Sequence, residues 1–195
     1  FKQIVAASAM GIYPHDYFKT YTEEDVVSDN SFLSTVVEKW EEETGRFESL
    51  SIKTAKVRIG VVLSLSGGAL PEMIKPIKNG YGAVIGCGEQ WISWIHINDL
   101  AGIFIKLAED KKTGIYNGVA PQPVTNQTMT HQLAKALGKK IWLPPVPAFV
   151  LKILLGERAT LVLSSIKVSA KKIENCGYAF QFPDLESALN DLIKK

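Results

Sequence analysis

Apolar positions along the chain fall into two patterns, short continuous runs and stretches with helical spacing. Ile4–Ala7 is a short apolar run that gives way to small residues, Ser8-Ala9-Met10-Gly11. That suits a buried parallel strand whose carboxyl end opens into a loop. Residues 13–30 are polar and predict a loop over a cleft. Phe32, Leu33, Val36, Val37 and Trp40 recur at helical spacing behind Ser31, which predicts a helix over 32–44 ending near Gly45. Lys56–Leu63 reads as a second buried strand, apolar except for Arg58. A turn at Ser64–Gly68 leads to a helix over Ala69–Lys78 interrupted by Pro76, then to a glycine-rich loop, Gly80–Gly88. Trp91–Ile97 alternates like a strand, and Asn98 or Asp99 can cap a helix bearing Leu100, Ile103, Phe104 and Leu107. Gly114–Val119 predicts a strand, and Thr125 caps a helix stopped at Gly138. Further on, the pattern predicts a short strand at Ile141–Leu143 and helices at 147–155, 158–165 and Ser169–Asn175. A strand at Tyr178–Phe182 and a last helix, Leu185–Ile193, complete it. Strands alternating with helices predict an α/β fold.

Composition narrows the class without naming an activity. The chain is 46% hydrophobic and 22% charged, with a net charge of +2. Acidic runs such as Glu41-Glu42-Glu43 offset the lysines, and no basic stripe interleaves with aromatics, so nucleic acid is not an expected partner. Val146–Leu155, the most apolar stretch, is interrupted by Pro147 and Lys152 and is too short to span a bilayer. Cys87 and Cys176 are far apart and in no paired motif, which favours a reducing, cytoplasmic setting. His15, His96 and His131 share no ligand spacing with each other or with the cysteines, so no metal site is predicted. The chain opens at Phe1 as if inside a buried strand, which leads us to expect part of a longer protein.

Several segments occur together in one order. They are Ser8-Ala9-Met10-Gly11-Ile12-Tyr13, Glu23, Phe32-Leu33 with Trp40-Glu41, and Arg58–Leu63. Then come Gly67-Gly68-Ala69-Leu70, Gly86–Leu100 with its Trp91–Asp99 centre, Tyr116–Pro121, and Pro144–Pro147. This ordered set resembles the atypical extended short-chain dehydrogenase/reductases, the epimerase/dehydratase-like group, over essentially the whole chain. The tail from about Pro144 to Ile193 is similar to that group's small C-terminal domain. The resemblance implies the C-terminal portion of a Rossmann-like NAD(P)-binding fold with a smaller α/β substrate domain. Residues 1–63 would be the remnant of the first, and 64–195 the second, interleaved around 91–120. It also implies NADP, or NAD, as cofactor at the carboxyl ends of the parallel strands. The glycine-rich phosphate turn of such folds is not found here. Gly80, Gly82, Gly86 and Gly88 follow a predicted helix and precede a strand, the wrong context for it.

By the same resemblance Ser8 is the candidate catalytic hydroxyl, donating to a reacting oxygen, or simply a small residue where strand meets cofactor. Gly60, Val61 and Val62 would approach the nicotinamide, or be core strand alone. Tyr13, Gln90, Trp94, His96 and Asn117 are candidates for the substrate side. Packing is the competing reading for the aromatics, and a structural, hydrogen-bonded role for His96. Asp99 is read as a helix cap or dipole partner. The family's proton-transfer Tyr and the Lys four residues later are replaced by Phe32 and Val36, so the usual acid/base pair is missing. Tyr13, Tyr17 or Tyr21 could supply a phenol. The resulting expectation is an NADP-dependent oxidoreductase or nucleoside-sugar epimerase-like protein, with a small-molecule substrate such as a nucleotide sugar. The alternative is a non-catalytic dinucleotide sensor or interaction module. An exposed sheet edge could further pair the chain into a homo-oligomer.

Overall fold

The computed structural model describes residues 2–25, 31–156 and 159–194. Residues 26–30 of the expected polar loop and Arg158, the expected start of helix 158–165, lie outside them. The first apolar run forms β1 (Gln3–Ala9), and a 3-10 turn at Met10–Ile12 leads into a loop carrying β2 (Thr20–Tyr21). Helix α1 (Phe32–Gly45) is capped by Ser31, whose Oγ accepts from the Ser34 amide at 3.2 Å. It does not stop at Gly45. That residue keeps helical angles, and the chain continues as a 3-10 segment, Arg46–Leu50, until Ser51 reverses it with a φ of 59°. The stop signal was therefore six residues later and not a glycine.

Two strands, β3 (Lys53–Ile59) and β4 (Val61–Leu63), replace the single one expected at Lys56–Leu63. Helix α2 (Ala69–Lys78) retains Pro76 inside it. The expected strand Trp91–Ile97 is likewise divided, into β5 (Trp91–Ile92) and β6 (Trp94–His96), and Ile97 already belongs to α3 (Ile97–Glu109). Then follow β7 (Gly114–Gly118), β8 (Val124–Thr125), α4 (Asn126–Ala136) and α5 (Ala148–Leu155). The chain ends with α6 (Ala159–Leu163), β9 (Lys167–Val168), α7 (Lys171–Asn175) and α8 (Leu185–Ile193).

Two expected strands are not strands. Around Ile141–Leu143 the Trp142 side chain stays 72% exposed and its indole donates to the Gly80 carbonyl, while only Val146 forms a bridge, to Ile85. At Tyr178–Phe182 the amides of Gln181 and Phe182 donate to the Asp99 carboxylate, at 2.8 and 2.9 Å, in place of a ladder. Asp99 is thus not the cap of α3. The cap is His96, whose Nδ1 accepts from the Asn98 amide at 3.1 Å.

A parallel sheet in the order β1-β3-β7 forms the centre, with α1 against one face and α3 against the other. Gly60 is where the chain changes partner: β3 pairs with β7, but β4 pairs with β6. The Gly60 amide donates to the Gly118 carbonyl and the Val61 amide to the Ser93 carbonyl. A Cβ on Gly60 would lie 2.5 Å from the Ser93 carbonyl oxygen, so only glycine allows the approach. One apolar cluster gathers Val57, Ile95, Ile103 and Tyr116 around the sheet. A second gathers Leu63, Leu70, Trp94, Met129 and Leu189 where α2, α4 and α8 meet.

Candidate functional site

Ser8, Arg58 and Asn117 stand in register across β1, β3 and β7, near the carboxyl ends of the strands. In-register residues of a parallel sheet project to one face. Here that face carries α1, and Glu41 reaches it because Ser34, Val37 and Glu41 share the buried side of the helix. Arg58 donates to Glu41 through Nε to Oε1 and Nη2 to Oε2, both at 2.8 Å. Ser8 Oγ donates to the same Oε1 at 2.6 Å. The remaining Arg58 nitrogen, Nη1, donates to the Tyr13 hydroxyl at 3.0 Å, and that hydroxyl donates to Asn117 Oδ1 at 2.8 Å. The loop after β1 is tied down in turn. The Asn117 amide donates to Glu23 at 2.7 Å, and Tyr13 stacks on Tyr21 with ring centroids 5.1 Å apart.

Burial alone would raise the Glu41 carboxyl. The hydrogen bonds from Arg58 and Ser8 outweigh it and hold the group below the ordinary carboxylate value. Burial alone would lower Arg58, but its bonds to Glu41 keep it above its ordinary value. Glu41 is thus an ionised, acceptor-only group, and the Ser8 proton is directed at it. Burial raises the Tyr13 phenol, with Arg58 opposing in part. Tyr13 is therefore a protonated donor at neutral pH and not an activated phenolate.

The other expected site residues lie elsewhere. Gln90 is buried, with Nε2 on the Ile85 carbonyl; Trp94 is buried, with its indole on the Gln122 carbonyl. The buried His96 ring packs on Phe182, and Nε2 lies 3.4 Å from Asp191 Oδ2. Gly60, Val61 and Val62 form a half-buried apolar strip beyond Ile59, with Val62 packed toward the cluster around the central sheet and Val61 toward the one where α2, α4 and α8 meet. The pattern G-x-G-x-x-G, which holds a dinucleotide pyrophosphate, does not occur in the sequence. Phe32, in the place of the family's tyrosine, is 81% exposed. Among the described residues no group of three or more His, Cys, Asp or Glu is placed to hold a metal, and none of the helices is long and apolar enough to cross a membrane.

Glu41 figured in the sequence only beside Trp40 in the resemblance and within an acidic run that offsets the lysines, and was given no role at the site. The signal was its position four residues after Val37, on the core side of the helix, opposite a lone arginine in an apolar strand.

Known proteins share this arrangement of elements. An epimerase family protein of Staphylococcus aureus (strain MRSA252) is 38% identical over 197 residues, covering 100% of this chain and 65% of that protein. The crystal structure of human epimerase family protein SDR39U1 (isoform 2) with NADPH superposes with a TM-score of 0.88 at 33% identity, covering 99% of this chain and 65% of that one. Over its whole length the chain is thus similar to epimerase family proteins, which supports the resemblance to the atypical extended short-chain dehydrogenase/reductases. A nucleoside-diphosphate sugar epimerase from Corynebacterium glutamicum matches with a TM-score of 0.78 at 29% identity, over 98% of this chain and 37% of that one. Residues 146–192 match a domain of unknown function, DUF1731. The chain therefore spans 65% of the length of the Staphylococcus and human relatives.

Proposed function

We propose that these residues form the carboxyl-end wall of an NADP(H) site in an epimerase-like oxidoreductase. The observation that carries this reading is the polar row Ser8–Arg58–Asn117, braced by Glu41 and Tyr13. It lies at the end of a parallel sheet where dinucleotides bind in folds of this kind. Gly60, Val61 and Val62 would approach the nicotinamide ring through backbone and apolar contacts, and Ser8 would contact the ring or the substrate beside it. When bound, the cofactor supplies hydride exchange; this chain's residues orient it and exclude water. NADP is preferred over NAD because the human relative was crystallised with NADPH. Residues 1–63, with the strands returning at 91–120, would make this wall, and the remainder the substrate side. Two free cysteines suit a reducing, cytoplasmic setting.

The reading assigns pyrophosphate binding to a glycine-rich turn outside these residues. Calorimetric titration of NADPH into the 195-residue chain should accordingly give no measurable heat of binding, and tight binding would overturn that assignment. Activity is tested by screening carbonyl and nucleotide-sugar substrates with both cofactors, using the protein at its full natural length. Stereospecific turnover that collapses in Ser8→Ala supports the enzyme. A sensor is the second reading, favoured by the protonated Tyr13 and by Phe32 and Val36 in place of the acid/base pair. Tight NADPH binding without turnover of any substrate would select it.

A further inference from the structure

With Gln90 and Trp94 buried and hydrogen-bonded internally, a different set of side chains meets solvent at the rim of the site. Trp91 is half-buried, and its indole N–H donates to the Tyr17 carbonyl at 3.1 Å, which fixes the ring. The Lys167 ammonium lies 4.0 Å over that ring. Its backbone is held on both sides by one buried side chain: Ser93 Oγ donates to the Ile166 carbonyl and accepts from the Val168 amide, each at 2.9 Å. Ser93 also accepts the Val61 amide through its carbonyl, so the rim is joined directly to the apolar strip of the crevice. Among the described residues no carboxylate forms an ion pair with Lys167.

We infer that Lys167, held over Trp91, binds an oxyanion carried by the substrate. This rests on the reading that the adjoining crevice holds the cofactor. A half-buried ammonium with no acid partner, fixed in place before a ligand arrives, gains most from a charge-assisted bond to phosphate or carboxylate. Trp91 offers the apolar floor beneath.

The test is titration of the full-length protein with UDP, with uridine and with glucuronate, followed by calorimetry and by intrinsic tryptophan fluorescence, with Trp91→Phe identifying the Trp91 share. UDP should bind more tightly than uridine if the oxyanion is a phosphate, and glucuronate should bind if it is a carboxylate. In either case Lys167→Gln should weaken the preferred ligand at least about tenfold and Lys167→Arg should retain it. Lys167→Gln should leave the melting temperature and NADPH affinity unchanged. Equal affinity of wild type and Lys167→Gln for both UDP and glucuronate, absence of binding included, would overturn the inference. An equal loss for NADPH would do so as well, since it would place the oxyanion on the cofactor. A protein that binds UDP through Lys167 but no NADPH would sink the proposed function and leave this site standing.

Discussion

Arg58 and Glu41 put two full charges inside the sheet–helix interface, with side chains only 6% and 10% exposed. Such a pair is worth little net, because desolvation offsets much of the attraction, but breaking it strands the survivor. Arg58→Met should therefore cost about 3–5 kcal/mol in urea unfolding, and Glu41→Leu a similar amount. The double variant should recover most of that loss; additive losses would show that the two charges are not coupled. The pair also sets an acid response. Glu41 titrates below its unfolded value, so its stabilisation is full above the ordinary carboxylate range and is lost as pH falls through the depressed folded value. Stability of the wild type should consequently drop more steeply below about pH 4 than that of the double variant. Parallel slopes in urea midpoints against pH would contradict this.

Two joints between elements decide how the site is held. At Gly60 an added methyl meets the Ser93 carbonyl and, 2.8 Å away, Val119 Cγ1. Gly60→Ala should cost about 1–3 kcal/mol by overpacking and move β4 away from β6. An unchanged denaturation midpoint would refute this. Asp99 is the second joint, accepting from the Tyr178 hydroxyl and from two backbone amides of the C-terminal segment. Asp99→Ala should speed amide exchange at Gln181 and Phe182 well beyond that of the central sheet; equal exchange would show that the carboxylate is not the clamp. These joints explain what the sequence made legible. The helices at 32–44, 69–78 and 185–193 were readable because apolar periodicity defines them, helped at the first by the Ser31 cap. The strand at 178–182 was misread because its alternation is real but its amides bond to a carboxylate some eighty positions earlier. The polar row was readable only in part, since the resemblance pointed to Ser8 and the cleft position to Tyr13 and Asn117, whereas Glu41 was given no role within its acidic run.

At the scale of the molecule, β1 and β7 are the outer strands of the three-stranded sheet, and the polar row crosses it between them. The resemblance to epimerase family proteins was legible because many short segments keep their order along the whole chain. The chemistry was less so, because the usual acid/base residues are replaced by Phe32 and Val36. The central claim is that NADPH seats at the carboxyl ends of these strands. Amide hydrogen exchange of the full-length protein, with and without saturating NADPH, tests it most directly. The account predicts slowed exchange at residues 8–13 and 60–63, with the surface of α4 and α8 unchanged. Slowed exchange confined to other parts of the chain, or none on addition of NADPH, would contradict it.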